Sequence, residues 1–215
     1  MRGAIALSNY LATDLRERLD VPVGVVKLPS ELSSPEQQFR WDDFCENPKP
    51  SVVQIGWYLR NYKGIHQLRA PAWLTRIHLY QRAPHIERAY RNTDEFSPWR
   101  HRPEYPGVEV LERVPDAEYN RLLKRNIVFL DLFDTSANNA IVECIVRNTP
   151  ILVNNHPAVR EYLGDDYPLC FDNINECYAL LNDRSRLQAA HDCLAGMDKT
   201  DMKADAFREG VMNFV

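Results

Sequence analysis

The chain has 215 residues, 45% of them hydrophobic and 26% charged, which is the composition of one globular domain able to bury a full core. The formal net charge of −4 gives no electrostatic basis for binding nucleic acid or an anionic membrane. Five scattered cysteines without a CxxC pair, no apolar run of membrane-spanning length and no signal-peptide pattern predict a cytoplasmic protein without a disulfide framework or zinc site.

Short apolar segments alternate with segments of helical periodicity along the chain. The predicted strands cover residues 4–7, 21–27, 51–56, 76–80, 108–114, 127–132, 151–153 and 167–171. The predicted helices cover residues 10–19, 41–45, 65–68, 85–90, 116–124 and 137–147, and the remainder, 174–215, is predicted to be helical. Residues 92–107 and most of 28–50 are predicted to be loops. The alternation predicts an α/β fold with a mostly parallel sheet.

The predicted βαβ unit of residues 127–153 is the most informative segment. Its first strand is followed by a polar turn, residues 134–136, whose side chains can cap a helix over residues 137–147. The first backbone N–H groups of a helix lack partners within it and can bind an anion. The turn is therefore a candidate phosphate site.

A carboxylate stands in this otherwise apolar helix and needs a reason. Glu143 follows Asn139 by four residues and lies on the same helical face. It is a candidate acceptor for two sugar hydroxyls beside a bound phosphate. An ion pair with Arg147, four residues further on, is an alternative of about equal weight.

A second candidate site follows the predicted strand that ends at Gly56. Arg60 and Lys63 lie three residues apart in the loop before the next helix, and ligands of open α/β sheets bind outside the carboxyl ends of the strands. An arginine can grip a phosphate as a fork and a lysine adds a point charge. The pair is suited to neutralise a departing diphosphate. By spacing alone, two solvated surface cations are the commoner arrangement.

Two further polar turns follow predicted strands. Residues 154–157 contain His156, and Glu161 lies on the helix after them; residues 112–115 contain Glu112 and Arg113, which are candidates for lining a base pocket. At both turns an ordinary loop role is the commoner reading.

Several activities are disfavoured by the residues. No strand-to-helix turn carries GxGxxG, and the chain has no GxxxxGK[ST] and no GxSxG, which disfavours ordinary dinucleotide binding, P-loop hydrolysis and the serine-hydrolase elbow. The aromatic residues are not interleaved with a basic stripe, which sets nucleic acid aside.

The order of these motifs resembles the C-terminal, donor-binding half of a GT-B glycosyltransferase of the group 1 type. The family pattern of a strand ending in Gly, then Arg and Lys with a following Gly, is matched by Gly56, Arg60, Lys63 and Gly64. The later pattern of strand, turn, helix with a glutamate, Thr-Pro and strand is matched by residues 127–132, 134–139, Glu143, 149–150 and 151–153. The matching motifs extend from about residue 50 to residue 171.

The resemblance implies a Rossmann-like sheet flanked by helices that binds a nucleotide sugar such as a UDP-, GDP- or ADP-sugar. It implies that Arg60 and Lys63 stabilise the leaving diphosphate and that Glu143 holds the ribose. The remaining donor-binding residues on this reading are Gly56, Arg113, Asp134, Thr135, Ser136, Ala137, Asn138 and Asn139. No metal or other cofactor is implied, because the family generally needs no divalent ion and the chain has no Asp-x-Asp.

The chain departs from the family pattern at one position. Many retaining members carry a first glutamate eight positions before the second, where this chain has Thr135, and the nearest carboxylate is Asp134. The contact to the donor sugar and the stereochemical outcome are left open by this departure.

A complete GT-B enzyme has two Rossmann-like domains, for which 215 residues are too few. We therefore expect a partial chain, a partial gene or one half of a split enzyme whose N-terminal acceptor domain is absent. Residues 1–20 are predicted to be the inter-domain link, 21–183 the nucleotide-sugar-binding domain, and 184–215 helices that pack on it or cross back. Peripheral membrane contact would come through the absent domain.

The predicted function is donor binding for transfer of a hexosyl group to an unidentified glycan, lipid or protein acceptor. One alternative is a sugar-nucleotide epimerase of the same fold, which needs acid–base carboxylates from both domains. The other is a non-catalytic nucleotide-sugar-binding or interaction module. Turnover with the absent half restored would separate these from the leading reading, whereas nucleotide affinity would not.

Overall fold

A computed structural model describes residues 3–80, 82–96 and 101–214, and for residues 89 and 92–96 it describes the backbone only. The strands in chain order are β1 (Ala4–Ala6), β2 (Val23–Val25), β3 (Ser51–Gln54), β4 (Thr75–Leu79), β5 (Val108–Leu111), β6 (Ile127–Leu130), β7 (Ile151–Asn154) and β8 (Cys170–Phe171). The helices are α1 (Asn9–Arg18), α2 (Trp41–Cys45), α3 (Gly64–Gln67), α4 (Pro84–Phe96), α5 (Asp116–Arg125), α6 (Asn139–Arg147), α7 (Pro157–Leu163), α8 (Cys177–Asn182), α9 (Arg184–Gly196) and α10 (Ala204–Phe214). Short 3-10 turns cover Pro35–Gln37, Ile174–Glu176 and Thr200–Met202.

Six strands form one parallel sheet in the order β5-β4-β3-β6-β7-β8. Every residue of β3 and of β6 is buried, because helices cover both faces of the sheet and leave only its edges near solvent. The strand order reverses between β3 and β6, so the loops that follow these two strands diverge and leave a crevice at the carboxyl edge. This crevice positions the candidate site.

The first two strands form a separate parallel pair, β1-β2. Helix α10 packs on this pair: a Cβ placed on Gly24 would lie 2.6 Å from the Phe214 ring, so only a glycine admits the aromatic side chain there. Helices α8 and α9 instead bury Leu181, Leu187 and Leu194 in the core of the large sheet. The C-terminal helices thus divide between the two sheets.

Helix α7 joins the small β1-β2 unit to the large sheet. The Tyr162 hydroxyl donates to the carbonyl of Leu7 (2.7 Å) and accepts from the backbone N–H of Leu28 (2.9 Å). The Glu161 carboxylate accepts from the backbone N–H groups of Asn9 and Tyr10, both at 2.6 Å, at the start of α1. These contacts fix α1 on α7.

The structure confirms the predicted α/β class with a parallel sheet flanked by helices and corrects several predicted elements. Residues 92–96, predicted to begin a loop, continue α4, while the central part of that loop, 97–100, lies outside the described residues. The strand predicted over 167–171 is reduced to Cys170–Phe171, because turns occupy the residues just before Cys170. The strand predicted over 21–27 pairs with β1, outside the six-stranded sheet.

Within the part of the chain that the structure describes, none of the helices has both the length and the apolar character needed to cross a bilayer. All five cysteines are free thiols.

Candidate functional site

A cavity of about 320 Å³ opens between the loop after β3 and the start of α6. Its walls are formed by the loop residues Ile55, Gly56, Trp57, Tyr58 and Arg60, by Leu79 and Tyr119, and by Asn139, Ala140 and Glu143 of α6. The cavity therefore lies at the crevice where the strand order reverses, and it brings together Gly56, Arg60, Asn139 and Glu143 of the predicted site.

Gly56 adopts a backbone conformation that the loop after β3 requires. Its φ is +71°, in the region that favours glycine, and a Cβ placed there would lie 2.8 Å from Nη1 of Arg60. The glycine thus turns the chain and leaves room for the guanidinium of Arg60 beside the backbone.

The Arg60 guanidinium is buried beside this loop, with 8% of the residue exposed. It donates to the carbonyl of Ile55, to the carbonyl of Tyr58 (3.2 Å) and to Oδ1 of Asn138 (3.2 Å). Burial lowers the pKa of Arg60 to about 10, so the group is still charged at neutral pH. Arg60 is not the solvated surface cation of the alternative interpretation.

Lys63 lies in a different place. Its ammonium is 3.7 Å from the Glu104 carboxylate and 5.8 Å from the centre of the Tyr62 ring. It lines a second cavity, of about 400 Å³, with His66 and His78. The structure therefore does not bring Lys63 into the cavity that holds Arg60.

Helix α6 begins two residues later than predicted, and its cap is a different residue. Asn138 is the N-cap, and its Oδ1 accepts from the backbone N–H of Ala140 (3.0 Å) as well as from Arg60. The prediction that residues 134–136 cap the helix is wrong, because residues 134–138 form an irregular connection and the helix begins only after Asn138. Asn139 and Ala140 of the first helical turn line the cavity.

Glu143 lines the cavity and also has two protein partners. The Tyr119 hydroxyl donates to Oε2 of Glu143 at 2.7 Å, and Nη2 of Arg147 lies 3.3 Å from Oε1. The ion pair with Arg147, the alternative interpretation from the sequence, is therefore present, and Glu143 also lines the cavity. Burial, followed by the charge of Glu143, raises the pKa of Tyr119, which keeps the phenol a donor.

Asp134 belongs to a separate cluster. Its Oδ1 lies 3.2 Å from Nε2 of His156 and accepts from the N–H of Thr135 at 2.8 Å. The Tyr10 ring meets the His156 ring edge-on at 4.8 Å, and the charge of Asp134 raises the pKa of Tyr10. Asp134, Thr135, Ser136, Ala137 and His156 do not appear among the described residues that line the Glu143 cavity.

Two other predicted positions lie away from the cavity. Arg113 is exposed and is not among the described lining residues, while its neighbour Glu112 pairs with Arg82 at 3.1 Å. Glu161 accepts hydrogen bonds from the first backbone N–H groups of α1, and this contact is structural.

Sequence reasoning missed a buried polar network under the loop after β3. The Asp131 carboxylate, at the end of β6, accepts from Asn61 (3.0 Å) and from Arg102 (2.9 Å), and burial raises its pKa. The Gln54 side chain donates to the carbonyl of Asn61 (3.0 Å) and accepts from the N–H of Ile65 (2.7 Å). The sequence did carry a signal for this network: Asp131 and Gln54 stand at the ends of apolar strands, where a buried polar side chain needs a hydrogen-bond partner.

Tyr119 was also missed. It lies on the same face of α5 as Leu122 and Leu123, and a tyrosine on a buried face usually has a hydrogen-bond partner for its hydroxyl.

Among the described residues, no group of three or more His, Cys, Asp or Glu side chains is arranged to hold a metal ion.

Comparison with solved structures finds this fold in glycosyltransferases. HepE from Anabaena, solved in complex with UDP-glucose, superposes with a TM-score of 0.71 at 13% identity, over 98% of this chain and 62% of that chain. WaaG, a glycosyltransferase involved in lipopolysaccharide biosynthesis, gives 0.64 at 10% identity over 97% and 61%. A UDP-forming trehalose-phosphate synthase from Burkholderia xenovorans gives 0.61 at 10% identity over 98% and 61%. No family model and no curated protein matches the sequence.

At such identities the likeness shows the fold. The predicted resemblance to the GT-B fold and the Rossmann-like α/β class are confirmed by these structures. The chain spans about three fifths of the length of the glycosyltransferases that it matches.

Proposed function

We propose that the chain is the donor-binding part of a glycosyltransferase that takes a hexosyl group from a nucleoside diphosphate sugar. The observation that carries this proposal is the cavity at the β3–β6 crevice, which combines a buried arginine, the first turn of a helix and a carboxylate. HepE has been solved with UDP-glucose, which makes a uridine nucleotide the first ligand to test.

In the proposed complex, the diphosphate lies over Arg60 and the first turn of α6. Three N–H groups of Arg60 are engaged by the protein, and those that remain are available to phosphate oxygens. The amino-terminal end of α6 adds a partial positive charge beside Asn139 and Ala140, which line the cavity. The guanidinium and the helix terminus are both already held in place, so an anion can bind there without rearranging them.

The role in the reaction is stabilisation of the leaving group. When the bond between the sugar and the diphosphate breaks, negative charge grows on the diphosphate oxygen that leaves. A buried cation such as Arg60 stabilises that charge more strongly than a cation in bulk solvent does. We propose that Arg60 supplies this stabilisation and that no metal ion is needed. Lys63 would contribute only after leaving Glu104.

The ribose is proposed to meet Glu143, and the base to lie toward Trp57 and Leu79. The acceptor, its binding surface and any catalytic base are proposed to come from a second domain, since the matched enzymes are longer than this chain.

Calorimetric titration tests the proposal. UDP, GDP and ADP are each titrated beside the corresponding nucleoside, once with EDTA and once with Mg²⁺. We expect one diphosphate to bind at least about tenfold more tightly than its nucleoside, which is about 1.4 kcal/mol, and to do so in EDTA. The donor site would be contradicted by equal affinity for diphosphate and nucleoside, or if none of UDP, GDP and ADP binds.

A further inference from the structure

Tyr119 joins α5 to the carboxylate of α6 at the wall of the candidate donor cavity. Its hydroxyl is 2.7 Å from Oε2 of Glu143, and the same side chain lines the cavity beside Leu79. A phenylalanine would fill the same space, so the hydroxyl is needed only for what it bonds. Burying a hydroxyl without a partner is costly, and here the partner is a carboxylate.

Two buried tyrosines use their hydroxyls differently. Tyr167 is engaged by the backbone N–H of Ile151, and Tyr162 bridges two backbone segments. Those contacts hold the fold together through main-chain groups. Tyr119 instead donates to a side chain that faces a cavity, so its hydrogen bond fixes the direction of that side chain.

The Glu143 carboxylate is held at both oxygens. Tyr119 donates to Oε2, and Nη2 of Arg147 lies 3.3 Å from Oε1. An ionised carboxylate has roughly four acceptor positions, so each oxygen keeps acceptor capacity beyond its protein partner. Two acceptor atoms held in a fixed orientation match two adjacent hydroxyl groups of a ligand.

We infer that Tyr119, assisted by Arg147, is a positioning residue that orients Glu143 toward the 2′ and 3′ hydroxyls of a ribonucleotide, and that the site thereby selects ribose over deoxyribose. This inference rests on the proposed function. Tyr119 acts through Glu143 in this arrangement, and its hydroxyl does not touch the ligand.

The test measures, for each variant, the ratio of its affinities for two ligands rather than its affinity for one. The tightest binder among UDP, GDP and ADP is titrated beside its 2′,3′-dideoxy analogue, and the ratio of the two dissociation constants measures recognition of the hydroxyls. A merely structural loss weakens both ligands alike and leaves this ratio unchanged. The variants are Tyr119→Phe, Glu143→Ala, their combination, and Tyr167→Phe as the matched control that removes a buried hydroxyl elsewhere.

For the wild type we expect a ratio of about tenfold or more, as two hydrogen bonds to a charged group would give. Glu143→Ala brings the ratio close to one, Tyr119→Phe lowers it by about threefold or more, and Tyr167→Phe preserves it. The combined variant falls no further than Glu143→Ala alone, because Tyr119 works through Glu143.

The outcomes separate the two proposals. A wild-type ratio near one, or an unchanged ratio in Glu143→Ala, removes Glu143 from the ribose and overturns both the ribose contact and this inference. A normal ratio in Tyr119→Phe, with loss in Glu143→Ala, overturns the inference and leaves the donor site standing. A further drop in the combined variant would show that Tyr119 contacts the ligand directly, which also overturns it. Should Tyr119→Phe not fold, Arg147→Gln must lower the ratio for the inference to stand.

Discussion

Arg60 donates a hydrogen bond to Oδ1 of Asn138 at 3.2 Å, and the same oxygen accepts from the N–H of Ala140. The loop after β3 and the N-cap of α6 are thereby joined through one amide oxygen. Since these two segments form opposite walls of the cavity, the contact sets their separation. The cation proposed to meet the diphosphate is also a structural link.

The two predicted cations should differ in their effect on nucleotide binding. We expect Arg60→Lys to weaken binding of the nucleoside diphosphate by about tenfold or more, because lysine cannot replace the fork of N–H groups that Arg60 directs to two carbonyls and Asn138. Lys63→Ala should change affinity by less than about threefold, since Lys63 lines the other cavity beside Glu104. Calorimetry of both variants checks this, and a larger effect at Lys63 would show that its side chain swings into the donor cavity.

A second prediction concerns Gly56. Gly56→Ala should destabilise the protein by about 1–3 kcal/mol, because a non-glycine residue at φ +71° is strained and its Cβ meets Arg60. Diphosphate affinity should fall with it as the guanidinium is displaced. The measurement is urea unfolding followed by calorimetry. Gly196→Ala, where a Cβ meets nothing within 4 Å, is the control, and equal stability of the two variants would refute the strain.

The third prediction concerns the contact between α7 and α1. Glu161→Ala removes hydrogen bonds to Asn9 and Tyr10 at the start of α1, so we expect a loss of about 1–2 kcal/mol and faster amide exchange in α1 than in α6. Hydrogen–deuterium exchange measures it. The control is Glu17→Ala, which changes an exposed residue of α1 itself. Uniform acceleration in both helices would argue against a local anchor.

The fourth prediction concerns acid. Burial, together with the nearby charge of His66, lowers the pKa of His78 to about 4 from an ordinary value near 6.5. Between these values the unfolded chain binds a proton that the folded chain does not, so the free energy of unfolding falls as the pH is lowered through this window. The shift corresponds to about 3 kcal/mol at most.

A variant isolates that contribution from the carboxylates that titrate nearby in pH. His78→Leu should flatten the decline in the free energy of unfolding between about pH 6.5 and 4, measured by urea unfolding at several pH values. The exposed His85→Leu should retain the wild-type slope. Parallel slopes for wild type and His78→Leu would mean that folding does not lower the pKa of His78.

Helix and strand positions were largely predictable where burial is strong. The runs that became β3, β6 and β7 are apolar because helices cover both sheet faces, so local composition carries the information. The end points were less predictable. The start of α6 moved from 137 to 139 because Asn138 receives Arg60 from a distant loop, and no local pattern encodes that partner.

The sequence by itself determined the α/β class, the crevice-forming loops and the candidates Arg60 and Glu143, since periodicity and turn chemistry are local properties. Only the tertiary structure decided which candidates meet. It placed Arg60, Asn139 and Glu143 around one cavity, sent Lys63 to Glu104, and supplied Tyr119 to hold Glu143. The reason is that side-chain direction at a sheet edge depends on the burial and hydrogen bonding of residues far apart in the chain.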